Sequence, residues 1–210
     1  MKINIKFGKE FDKNRIKNSI ARLDWYKKHG YNPQLPKNIN EKSTDNEISE
    51  KVVKEYKNED YEGVSKTLLS DFSVFSDKLE QSLFGIFGKN IQTNFNIYLT
   101  KYGVGGSYHL PNEIILNINN KFGAKTVTHE IFHLMIEENV KKYNLKQFEK
   151  ERTVDLILHS PKFDFLRYNF WQKHYNGVEK YVDAIFEKYF FKSPETFFAE
   201  VSKIKPAEIN

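Results

Sequence analysis

Cysteine is absent from this 210-residue chain, arginine is scarce, and no apolar run approaches membrane-spanning length. The first absence excludes disulfides, thiolate zinc sites and cysteine nucleophiles together, so any metal here must rest on nitrogen and oxygen donors. Four arginines stand against 29 lysines. Arginine is the residue suited to bidentate phosphate and base contacts, so the net charge of +5 reads as solvated lysine and no nucleic-acid partner is expected. The N-terminal stretch Met1, Lys2, Ile3, Asn4, Ile5, Lys6, Phe7 alternates like a strand and lacks the continuous apolar core of a signal peptide. The expectation is a cytoplasmic protein without a membrane span, with unconventional export left open. The glycine-rich run at residues 103–106 has no trailing Gly-Lys-Ser/Thr, which argues for turn chemistry over nucleotide binding.

An apolar fraction of 39%, with 15% aromatics, is enough to fill a sizeable core. After the first strand, residues 11–29 read as an amphipathic helix with Ile16, Ile20, Leu23 and Tyr26 on one stripe, ended by Gly30 and the Pro33 to Pro36 turn. Residues 37–58 are polar and charged, which predicts a linker and places a boundary there: a strand/helix appendage over 1–58, then a main domain over 59–210. Leu68, Phe72, Phe75, Leu79, Leu83 and Ile86 recur at helical spacing and predict a helix with a broad buried face. Two alternating runs at 95–99 and 113–118 predict paired or neighbouring strands. A helix over 124–142 follows, then one over 145–159 and helical segments near 162–175, 178–192 and 194–203. Strands followed by helices indicate an α+β fold: a small mixed sheet, then a mostly helical C-terminal part.

Within the 124–142 helix lies His129, Glu130, Ile131, Phe132, His133. Two imidazoles one helical turn apart face the same way and can hold one metal, with a carboxylate beside them. A catalytic zinc commonly takes three protein donors, so a third is sought downstream. Glu151, 18 residues after His133, allows the helix to end, the chain to turn near Asn144 and a second helix to return alongside. Asp155, four residues on, shares its helical face and can accept the outer N–H of a ligating histidine.

Across residues 95–160 the chain resembles the gluzincin metallopeptidases, the thermolysin-like zincins in which a helical His-Glu-x-x-His precedes a helix bearing Glu-x-x-x-Asp. The resemblance implies a zincin-like fold and a zinc-dependent peptidase acting on a peptide or protein substrate. His129, His133 and Glu151 would be the zinc ligands, Glu130 the general base and Asp155 the group orienting a histidine. The run at 113–118 would match the edge strand that pairs with substrate. The oxyanion-stabilising residue is left among His159, Tyr168, His174 and Tyr175. The segment from Ser193 to Glu200 also resembles a stretch of the lethal-factor-like zincins, so Glu195 and Glu200 stand as alternatives to Glu151, with Glu151 favoured by its spacing. The function alternatives are a noncatalytic zincin-fold module that binds a protein partner and a latent protease covered by residues 1–58.

Overall fold

The computed structural model describes residues 1–172 and 175–204. The fold is α+β, with a four-stranded mixed sheet and a helical C-terminal part. Two compact units divide the chain, one made of residues 2–74 and 94–130, the other of Met1, 75–93 and 131–210. These units do not follow the expected division at residue 58. The first strand explains why: β1 (Lys2–Lys6) pairs in parallel with β2 (Asn94–Thr100), so the N-terminal segment is part of the sheet.

In the first unit the strands run in the order β1, β2, β4 (Glu113–Asn117), β3 (Gly106–His109), with β3 antiparallel to β4 and the other pairs parallel. Phe95, Ile97 and Leu99 alternate along β2 and pair with Ile3, Ile5, Ile114 and Leu116 of its neighbours or stand between them. All of β2's three and both of β4's are buried, the half of a parallel sheet that must be covered. The expectation for residues 113–118 needs correcting, since β4 is an interior strand and the edges are β1 and β3. The short β3 arises where only a glycine turn was expected, and four half-buried or exposed residues with a glycine among them carry no alternation to reveal it.

The expected helix over 11–29 is two helices, α1 (Lys9–Ile20) and α2 (Leu23–Lys28). The expected linker contains a true helix, α3 (Asp45–Glu55). Its start is a capping box: Glu47 N donates to Thr44 Oγ1 at 3.3 Å and Thr44 N donates to Glu47 Oε2 at 2.7 Å. Only two apolar side chains of α3, Ile48 and Val52, are buried, and they pack with Ile16 and Tyr102. Two anchors in a polar segment are easily read as none. The predicted helix through Leu68 and Ile86 is likewise two, α4 (Asn58–Ser73) and α5 (Ser76–Phe87). Its periodicity persists because each half buries its own stripe, α4 beside β2 and α5 beside the 3₁₀ turn Pro161–Leu166.

Asp12 ties the first unit together. Its buried carboxylate accepts the Tyr61 hydroxyl of α4 and the Lys101 backbone N–H just beyond β2, the latter at 3.1 Å. Burial pushes the Asp12 carboxyl above the ordinary carboxylate range, opposed by hydrogen bonds from Tyr61, Thr100 and Lys101.

The second unit contains α5 and the helices α7 (Gln147–Leu158), α8 (Glu179–Tyr189) and α9 (Pro194–Lys203), with α8 packed on both α7 and α9. Its core is aromatic: Phe186, Phe190, Phe197 and Phe198 meet edge to face or stacked at ring separations of 4.7–6.3 Å. Among the described residues, the expected helix near 162–175 reduces to the 3₁₀ turn, which Pro161 opens and Arg167, in the left-handed region, closes. Between the two units' residue ranges runs α6 (Gly123–Lys142), a single helix whose first part counts with one unit and whose second part, from Ile131, counts with the other. No described helix is long and apolar enough to cross a membrane.

If α3 is held by its two buried anchors, Ile48→Ala should lower unfolding free energy by about 2–4 kcal/mol, whereas Val53→Ala, on the exposed face, should change it by less than about 0.5 kcal/mol. Chemical denaturation of both variants checks the contrast, and equal effects would refute the placement of α3.

Candidate metal and proton-transfer site

The α6 helix is buried on most sides: Val127, Thr128, Ile131, Phe132, Leu134 and Ile136 are all shielded from solvent. Asn120 organises its entry, accepting Phe122 N through Oδ1 and donating to Thr126 Oγ1, each at 2.9 Å. Polar side chains on such a helix are costly unless they serve a partner. His133 is 2% exposed and Glu130 7%, while His129 is half-buried and reaches solvent. At a spacing of four, His129 and His133 project from one face.

A left-handed Asn144 reverses the chain after α6, where Leu145 N donates to Val140 O at 3.0 Å, and α7 returns alongside. This is the turn the sequence predicts. It carries Glu151, 7% exposed, to the histidines, with Oε2 3.2 Å from His133 Nε2. One donor atom from each of His129, His133 and Glu151 lies within 4.8 Å of the others, and among the described residues this is the one such group of three. Imidazole nitrogens and a carboxylate oxygen are donor types that zinc accepts. Two donors ~2.1 Å from a common ion in a tetrahedral arrangement sit roughly 3.4 Å apart, close to the separation seen between His133 and Glu151.

The other Glu151 oxygen is held from within α7: Gln147 Nε2 donates to Oε1 at 2.6 Å. The carboxylate is thereby turned with Oε2 towards His133. Gln147, four residues before Glu151 on the same helical face, carries no metal-site signature of its own in the sequence. Arg152, directly after Glu151, points elsewhere. Its guanidinium grips Asp183 of α8 through two hydrogen bonds, at 2.8 and 2.5 Å, and lies 4.7 Å over both the Trp171 and Tyr175 rings.

Asp155 accepts the Tyr175 hydroxyl and the Gln172 backbone N–H, the latter at 3.1 Å, both at Oδ2. Burial first, and then this hydrogen bond to a carboxylate, push the Tyr175 hydroxyl well above its usual value, so it stays a protonated donor to Asp155. His159 directs Nδ1 to the Asp155 carbonyl oxygen at 2.8 Å and stacks on Trp171 at 3.5 Å, with Tyr168 edge-on. Of the four oxyanion candidates, Tyr175, His159 and Tyr168 thus form one aromatic layer around Asp155, and His174 lies outside the described residues. The alternative ligands are held by other partners. Glu195 receives Lys142 Nζ at 2.5 Å and the Tyr143 hydroxyl at 3.1 Å, and Glu200 receives Lys203 Nζ at 2.5 Å.

No protein-family model, curated protein or solved structure matches this chain.

Glu130 is set beside the sheet. A β-carbon at Gly106, the first residue of the edge strand β3, would overlap Glu130 Oε1 and would stand 2.6 Å from Thr126 Cγ2. Only glycine leaves this space to the carboxylate, and a glycine inside a strand signals such a close approach. Gly106→Ala should therefore destabilise the protein, and Glu130→Ala should relieve part of that loss. A double-mutant cycle by thermal or chemical unfolding should give a coupling on the order of 1 kcal/mol; strict additivity would mean that the two side chains do not share the space.

Zinc titration of the metal-free protein checks the donor group. Glu151→Gln, by weakening a ligand, and Gln147→Leu, by releasing its orientation, should each lower affinity, with Gln147→Leu falling in the ~10–100-fold range typical of groups that position a ligand. Unchanged affinity in Glu151→Gln would remove it from the site.

Proposed function

We propose that this protein is a zinc-dependent peptidase of gluzincin type. The observation that carries the reading is the convergence of His129, His133 and Glu151 with a buried Glu130 directly beside an edge strand. Three nitrogen and oxygen donors leave one position of a tetrahedral ion for water or substrate, the arrangement of a catalytic rather than a structural site. A bound zinc would supply Lewis acidity to a scissile carbonyl and depress the pKa of a coordinated water.

The chain's own groups account for binding and proton movement. Among the described residues β3 has one neighbour, β4, and so presents an edge to which an extended peptide can add through main-chain hydrogen bonds. A peptide paired there passes Gly106 and hence the Glu130 carboxylate. With no side chain at Gly106, the peptide backbone and Glu130 approach closely. Glu130 Oε is then placed to take a proton from an attacking water and to return it to the departing amine nitrogen. His133 and Glu151, both buried, are shielded from competing solvent; half-buried His129 is the ligand nearest to it.

A latent protease with residues 1–58 as a removable cover has less support, because β1 is hydrogen-bonded along β2 and Asp12 is buried against α4. A closed structural site would need a fourth protein donor, and the group of donors among the described residues stops at three.

Glu130→Gln separates the base from the metal. The variant should retain one equivalent of zinc while peptide hydrolysis falls by about 10²–10⁴-fold, the range for loss of a positioned acid–base group. Full hydrolysis by this variant, measured on a denatured protein substrate with zinc-loaded protein, would overturn the proposal.

A further inference from the structure

Phe122, Thr126 and Glu130 follow one another at four-residue spacing, all within the first unit. Phe122 stands immediately before α6, and its carbonyl already accepts Thr126 N at 3.1 Å, so the three share one helical face. This is the face that meets the chain entering β3. A β-carbon at Gly105 would stand 2.9 Å from Asn120 Nδ2, and one at Gly106 would stand 2.6 Å from Thr126 Cγ2 and overlap Glu130 Oε1. Helix and backbone therefore advance together, Asn120 beside Gly105, then Thr126 and Glu130 beside Gly106.

Asn120 fixes the head of the row. Its Oδ1 accepts Phe122 N and its Nδ2 donates to Thr126 Oγ1, each at 2.9 Å. Phe122 itself is 50% exposed. A lone exposed phenylalanine carries no message by its exposure. This one is set in line with the buried Glu130, one turn beyond Thr126, where an extended peptide paired with β3 passes as it continues past Gly106. The uncovered half of the residue is stabilised only by an apolar group laid against it.

We propose that Phe122 is a specificity-determining residue, the wall that receives one large apolar side chain of the peptide substrate. The inference rests on the peptidase reading for the lie of the peptide along β3 and for the place of the cut. Eight residues of helix separate Phe122 from Glu130, about 12 Å at the usual rise. An extended chain advances about 3.4 Å per residue, so the side chain that meets Phe122 belongs to a residue about three or four places from the bond held at Glu130. The selected substrate is thus an extended segment with an apolar residue at that remove, on the side of the cut that runs past Gly106.

Zinc-loaded protein is given a mixture of denatured proteins, and the product ends are read by mass spectrometry. Leu, Ile, Met and Phe should be enriched at one position, about three or four residues from the cut and on one side of it. Phe122→Ser removes the ring and leaves a residue favoured at a helix start, and it should abolish that enrichment alone. Phe122→Leu, which keeps an apolar wall, should retain it. Cuts without apolar enrichment at that distance, or enrichment that survives Phe122→Ser, would overturn the inference and leave the peptidase reading standing.

The second measurement needs neither metal nor turnover. Metal-free protein is titrated with fluorescein-labelled, capped heptapeptides of serine and threonine that carry one leucine at each position in turn, and binding is followed by anisotropy. One member of the series should bind about tenfold more tightly than the leucine-free parent, the effect of covering half of an aromatic side chain. That advantage should vanish in Phe122→Ser and persist in Phe122→Leu. Equal affinities along the series, no binding by any member, or an advantage that outlives the ring would refute the role of Phe122. A leucine preference in a protein that, loaded with zinc, hydrolyses nothing would sink the peptidase reading and keep Phe122 as a peptide contact.

Discussion

The chain leaving β2 must pass the end of β4 before it can form β3, and the fold of the first unit depends on that crossing. Two strand spacings, about 9.6 Å, separate β2 from the outer lane. Residues 101–105 cover the distance and are tied down along the way: Lys101 N to Asp12, Gly103 to Gln34 in both directions, and Gly105 O to Asn117 N at 3.0 Å. Gly103 adopts φ +80°, a conformation that a side chain would strain and that Arg15 would in any case obstruct. The loop therefore does more than connect. It decides that β3 is an edge, that Gly106 faces Glu130, and that Arg15 has a bed, all near the carboxyl end of the parallel strands, where open sheets commonly present their ligands.

The donor group is a product of two simpler facts, a helix and a turn. Four-residue spacing on α6 sets the histidines together, and the left-handed Asn144 sends α7 back with Glu151 towards them. The refinement comes from neighbours of these residues. Gln147 fixes one oxygen of Glu151, and Arg152, one position on, is rotated away and committed to α8, where it braces the aromatic layer around Asp155. Adjacent residues on a helix diverge by about 100°, so a charge next to Glu151 in sequence need not be next to it in space.

The legible parts of the sequence were those in which one element carries its own pattern. The alternation in β2 and β4, the stripe through Leu68, Leu79 and Leu83, and the histidine spacing on α6 all give their element type without help from elsewhere. Features that depend on a partner were not legible. Helix α3 looks like a linker because only Ile48 and Val52 reach the core, and β3 looks like a turn because its identity is conferred by pairing with β4. The place of β4 inside the sheet follows from the crossing loop, and local alternation is the same for an interior strand and an edge.

The two margins of the sheet differ in how they would meet another strand. β1 carries Lys2 and Lys6 near its ends, a pair of charges that disfavours docking by a stray chain. β3 is four residues long, contains no lysine and begins with glycine. One rim is thus fenced and the other left as a short berth, long enough for a few residues of extended chain and too short to seed a growing stack of sheets. The difference leaves this sheet with one margin open to pairing, and a brief one.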